Sequence, residues 1–165
     1  MDSSNILKLA RNYEQSGAEF YRGQESKIQD SLAKKTFQWL SEMEQSHVEF
    51  IESWLKNATP PEKPEDLPGP STPDFFTEEL KRQKLSSHPP KGDLADISIL
   101  RMALLVEKDF VQFYEHAASL STDPKEKKLF EVLRDWEKGH VELMKTLLER
   151  AFNQNRIDVG LYPGW

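Results

Sequence analysis

A chain of 165 residues has the size of one domain and enough length to bury a substantial core. A net charge of −6 with 30% charged residues argues against a nucleic-acid surface. The absence of cysteine excludes disulfides, thiol chemistry and cysteine-ligated zinc or iron, and no apolar run is long enough to span a bilayer.

The first helix is expected from Asp2–Ser4, where small polar residues can cap free amides, to Gln24–Lys27. Spacings of three and four put Leu7, Ala10, Glu14, Gly17 and Tyr21 on its inner face. A turn near Gln29–Asp30 leads to a second helix, Ser31 to Asn57, whose stripe reads Phe37, Leu40, Glu44, His47, Ile51 and Leu55. Trp39, Phe50 and Trp54 widen that apolar surface. Residues 58–92 hold eight of the ten prolines, a density that forbids continuous helix. One short helix is expected inside this stretch, from a cap at Ser71 or Asp74 to about Leu85.

A third long helix begins near Asp93–Asp96, both suitable caps, and runs to about Ser119 with Leu100, Ala103, Glu107, Phe110 and Tyr114 facing inward. Ser121–Pro124 reads as a capped turn with proline at the first helical position. The fourth long helix then extends to about Phe152. Its stripe is Phe130, Leu133, Glu137, His140, Met144 and Leu147. Residues 1–153 are thus one bundle, and 154–165 a tail expected to be extended, with Tyr162 and Trp165 available to dock.

Both of the later long helices repeat the earlier ones. A shift of 93 superposes Ile6–Leu55 on Ile99–Leu148 without a gap, with 17 identities in 50 positions. The fold expected is all-α: a four-helix bundle of two duplicated helical hairpins joined by a long proline-rich crossover. If the hairpins face each other across a twofold axis perpendicular to the bundle, the third long helix runs antiparallel to the first. The crossover must then travel the bundle's length, about 40 Å for helices rising ~1.5 Å per residue. Extended chain covers about 3.3 Å per residue, so residues 58–92 span it easily.

A buried carboxylate without a partner costs several kcal/mol, so a Glu and a His in the middle of an apolar stripe ask for a shared partner, and a metal ion is the obvious one. Four helices deliver Glu14, Glu44, Glu107 and Glu137 to mid-height, and two also deliver His47 and His140. One Glu from each of two helices plus Glu-x-x-His from each of the others is the ligand set of di-iron and di-manganese carboxylate bundles. Four carboxylates and two neutral imidazoles balance two divalent cations. Oxygen-rich ligation suits iron or manganese better than zinc. Glu44 and Glu137 are expected to bridge, Glu14 and Glu107 to be terminal. For Tyr21 and Tyr114 two readings stay open: hydrogen bonds to ligand carboxylates, or plain core packing. Gly17 could leave room for a small oxidant or allow close helix packing. Glu19, Glu49, Glu115, Glu142 and His116 lie off the inner faces and read as exposed, and His88 as a loop residue.

Ala10-x-x-x-Glu14 with Phe20–Tyr21, Glu44-x-x-His47, Ala103-x-x-x-Glu107 with Phe113–Tyr114 and Glu137-x-x-His140 resemble the ferritin-like superfamily, and within it the rubrerythrin-like di-iron proteins. The resemblance covers about 100 of the 165 residues. It implies two iron ions, oxygen or peroxide chemistry with an external electron donor, and a homodimer. Rubrerythrins proper carry a cysteine-ligated rubredoxin module, for which this sequence has no cysteine. They also place a carboxylate one turn after the third helix's glutamate, where Phe110 stands here. The expected function is a di-iron oxidoreductase reducing hydrogen peroxide or oxygen, with no catalytic side chain beyond the metal ligands. The alternatives are a non-enzymatic iron or manganese binding or storage protein and a metal-free interaction domain. Met1–Gln15 lack a signal-peptide pattern, so a cytoplasmic location is expected, with neither nucleic acid nor membrane as partner.

Overall fold

A computed structural model describes residues 3–57, 72–85 and 94–159 of the chain. Five helices account for nearly all of them: α1 (Ser3–Glu25), α2 (Ser31–Asn57), α3 (Asp74–Lys84), α4 (Leu94–Leu120) and α5 (Pro124–Val159). The fold is all-α, and the close backbone approaches are concentrated within the α1–α2 and α4–α5 hairpins.

The two hairpin turns use the same device. Asp30 accepts the Ala33 amide on its side chain at 2.8 Å and the Lys34 amide on its carbonyl, which satisfies free donors at the start of α2. Asp123, its equivalent in the second copy, accepts the Lys125 amide at 2.7 Å ahead of Pro124. The first turn is fastened further. Asp96 is buried, and its carboxylate accepts the backbone amides of Gln29 at 3.0 Å and Asp30 at 2.8 Å. The cap expected for α4 is thus directed at the α1–α2 turn instead. Arg150 of α5 grips Asp30 in a bidentate pair at 2.7 and 2.8 Å and donates to Gln83 of α3. Charge-assisted forked bonds of this kind fix orientation as well as adding stability.

The orientation of the halves follows from which residues meet. Along α1, Glu14, Gly17 and Tyr21 meet Tyr114, Phe110 and Glu107 in that order. Moving forward on α1 means moving back on α4, so the two helices are antiparallel. The antiparallel docking of α1 and α4 expected from the repeat is therefore present, and a link joins α2 to α4 between the halves. Most of that link, residues 58–71 and 86–93, lies outside the described residues, as does the tail's Tyr162 and Trp165. Within the link, α3 starts at Asp74 with Pro73 in the capping position and no side-chain cap, rather than at a capping Asp74. It buries Phe76 against the bundle, and Lys35 lies over the Phe75 ring.

Helix α5 continues to Val159, seven residues past its expected end at Phe152. No glycine or proline interrupts the chain between Phe152 and Gly160. Ala151 and Asn155 are buried one turn apart, with the Asn155 amide donating to the Ala151 carbonyl. Local burial overrides weak helix propensity here.

Two apolar clusters fill the interior. One gathers Tyr21, Leu32, Phe37, Leu40, Leu100 and Met144, the other Leu7, Ile51, Tyr114, Phe130 and Leu133. Between them lies a layer of buried charge.

Candidate metal centre

All six sequence-predicted residues are in that layer. Glu14, Glu44, Glu107 and Glu137 are 0% exposed, His47 1% and His140 4%. They form two quartets. Glu14, Glu44, His47 and Glu137 make one, Glu44, Glu107, Glu137 and His140 the other, and in each a donor atom from every residue lies within 4.8 Å of the rest. Glu44 and Glu137 belong to both. Ala10 and Ala103, fully buried one turn before Glu14 and Glu107, keep the walls of this layer close.

Each imidazole points its Nδ1 at three carboxylates. His47 Nδ1 stands 3.2 Å from Glu14, 3.0 Å from Glu44 and 3.3 Å from Glu137. His140 Nδ1 stands 3.1 Å from Glu44, 3.1 Å from Glu137 and 3.5 Å from Glu107. One N–H cannot serve three acceptors. Accordingly Glu44 Oε1, Glu107 Oε2 and Glu137 Oε1 are buried without a hydrogen-bond partner, although each is within 3.5 Å of an imidazole Nδ1. Converging oxygens and nitrogens that hydrogen bonds leave unsatisfied suit a shared cation, and the donor set fits a pair of them.

The metal-free cluster shares protons unevenly. Burial, reinforced by the Glu137 and Glu44 charges, pushes Glu14 well above the ordinary carboxylate range. Burial does the same to Glu107 against the pull of His140. For Glu44 and Glu137 burial is outweighed, and the imidazoles of His140 and His47 hold both low. Burial works against a charged imidazole, yet Glu14 keeps His47, and Glu137 and Glu44 keep His140, well above the usual histidine value. Protons therefore favour Glu14, Glu107 and the two imidazoles over Glu44 and Glu137.

The tyrosines hydrogen-bond the carboxylates, and they do so across the repeat. Tyr21 donates to Glu107 Oε1 and Tyr114 to Glu14 Oε1. Burial first, then the facing carboxylates, raises both phenols, so they remain donors. Of the two readings of Gly17, close packing is the one observed: a Cβ there would stand 2.9 Å from the Phe110 ring. Glu19, Glu49, Glu115, Glu142 and His116 are exposed as expected, and His88 lies outside the described residues. Two indoles flank the imidazoles in a way the sequence did not signal. Trp136 stacks on His47 at 4.7 Å, and Trp39 meets His140 edge-on at 5.8 Å. Trp136 directly precedes Glu137, off the stripe, and only the facing helix gives it a role.

The sequence profile of the rubrerythrin family matches residues 5–148. The chain belongs to the rubrerythrin family. That family lies in the ferritin-like superfamily, and the matched span holds all six residues of the two quartets. Among solved structures, a hypothetical protein from Pyrococcus furiosus is similar with a TM-score of 0.63 and 22% identity, over 93% of this chain and 92% of that one. At that identity the likeness speaks for the fold. No curated protein matches this rubrerythrin-family chain. Among the described residues, no helix is long and apolar enough to cross a membrane.

Proposed function

We propose that this chain is a di-iron carboxylate oxidoreductase that reduces hydrogen peroxide or oxygen with electrons from an external donor. One observation carries the reading: two buried quartets of three carboxylates and one imidazole share two of their glutamates. Glu14 and His47 would hold one ion, Glu107 and His140 the other, with Glu44 and Glu137 bridging. When bound, the ion pair supplies electrons and Lewis acidity.

The chain's own residues do the rest. Tyr21 and Tyr114 hold the terminal carboxylates in orientation by donating to the oxygen turned away from the cluster. The apolar clusters on either side exclude water, which strengthens every electrostatic interaction between them. Reducing hydrogen peroxide to water consumes two electrons and two protons. Electrons must come from outside this sequence, which has no cysteine to hold a rubredoxin-type iron. The reading extends to a cytoplasmic homodimer, and manganese would suit the same donors.

The test is metal content after expression with iron. About two ions per chain are expected, with both lost on Glu44→Ala or Glu137→Ala. Steady turnover of peroxide with a reductant supports the enzyme. Stoichiometric oxidation inside a very large oligomer would favour storage.

A further inference from the structure

Gly17 and Phe110 occupy equivalent positions of the repeat, three residues after Glu14 and Glu107. In the fold they meet. A Cβ at Gly17 would stand 2.9 and 3.1 Å from Phe110 Cε2 and Cζ, and 3.4 Å from Glu44 Cγ. The ring tip therefore lies over the bare α1 backbone, beside the side chain of a shared glutamate. Phe110 is 4% exposed, and Tyr13 covers it edge-on at 5.7 Å. Tyr13 also leans on Phe113 at 4.7 Å and is itself 38% exposed. From solvent inward the order is Tyr13, Phe110, then Gly17 and Glu44.

The α2–α5 side of the centre is crowded with donors. Both imidazole Nδ1 atoms approach from it, and Trp136 and Trp39 back the rings. On the α1–α4 side, the positions one turn beyond the glutamates carry no donor atom, only a hydrogen and a ring. An added molecule meets the fewest protein ligands there, and Phe110 stands in its way.

We propose that Phe110 is the specificity-determining residue of the centre. It admits hydrogen peroxide, oxygen and small anions such as azide from the α1–α4 side and turns away organic hydroperoxides. The assignment rests on the di-iron reading above. A ring in contact with backbone and a buried side chain has little freedom to make room, so a few extra carbon atoms on the oxidant are enough to be felt. Discrimination by one methylene-sized difference in an apolar pocket runs from about tenfold to about two-hundredfold.

The test loads wild-type, Phe110→Ala and Phe110→Leu chains with ferrous iron, measures iron content, and titrates the air-oxidised proteins with azide by visible absorption. Initial rates with hydrogen peroxide and with tert-butyl hydroperoxide are then compared under one reductant. The expected result is unchanged iron content, tighter azide binding in Phe110→Ala, and an organic-to-hydrogen-peroxide rate ratio raised on the order of tenfold or more. Phe110→Leu, which keeps more of the core volume, should fall between. A purely structural role would slow both oxidants alike. An unchanged ratio with unchanged azide binding in both variants at full iron content would overturn the assignment and leave the di-iron reading standing. A wild-type chain that takes up no iron would overturn the di-iron reading and the assignment together.

Discussion

The hydroxyl of Tyr21 donates to Glu107, a residue of the other repeat, while Tyr114 returns the same bond to Glu14. Neither tyrosine serves the glutamate of its own helix. Each half of the molecule therefore orients a carboxylate in its twin. Removing either hydroxyl leaves a buried carboxylate oxygen without its donor.

Tyr21→Phe and Tyr114→Phe should each lower metal affinity by about 10–100-fold, the usual cost of losing a partner that orients a ligand. The two losses should be coupled, because the quartets share Glu44 and Glu137. Competition with a chromophoric chelator measures both. Wild-type affinity in the double variant would reduce the tyrosines to core filling.

The shared protons give the metal-free protein an unusual pH response. Glu14, Glu107, His47 and His140 all titrate higher in the folded chain than an unfolded chain would allow. The folded state then binds more protons than the unfolded state from the ordinary carboxylate range upward. Stability must fall as pH rises through that range and past the usual histidine value. Glu44 and Glu137 are held low and contribute the opposite limb, losing their stabilisation in acid. Thermal unfolding of metal-free protein should show a lower Tm at pH 9 than at pH 6.5. Loading with two divalent ions in a lightly buffered solution should release up to about four protons per chain, one for each raised group. Loading near neutral pH without proton release would contradict this.

Gly17→Ala should destabilise the chain by about 1–3 kcal/mol, the usual cost of overpacking a filled site. In a Phe110→Ala background the added methyl has room, so most of that cost should vanish. Chemical denaturation of the four proteins gives the coupling directly. Equal costs in both backgrounds would mean that the ring is not the obstacle.

Asp96→Ala should cost about 1–3 kcal/mol by leaving buried amides of the α1–α2 turn without an acceptor. Metal affinity should change little, because Asp96 belongs to neither quartet. Denaturation alongside chelator competition separates the two effects.

Much of this was legible in the sequence because a helix repeats every 3.6 residues and this chain repeats itself. Glu44 and His47 stand out only when their stripe is followed into Ile51 and back to Phe37, and Glu137 with His140 says it again. Glu44 and Glu137, the pair expected to bridge, are the two residues that the quartets share. What escaped depends on contacts between distant parts of the chain. Asp96 looks like an ordinary helix cap, and nothing local says that its acceptors face Gln29 and Asp30. Arg150 looks like a surface cation, and its partner Asp30 is 120 residues away. The crossing of Tyr21 to Glu107 needs the antiparallel docking of α1 on α4, which periodicity within one helix does not encode.

Each quartet draws three residues from one hairpin and a single glutamate from the other: Glu137 completes the first, Glu44 the second. A lone hairpin, cut from its sister, would keep an incomplete ring of ligands and a surplus of desolvated charge. Two identical copies paired about a twofold axis would make the full centre at once. Joining two such copies in one chain would add no ligand: it would tether the pair and let position 17 and position 110 differ, as Gly17 and Phe110 do.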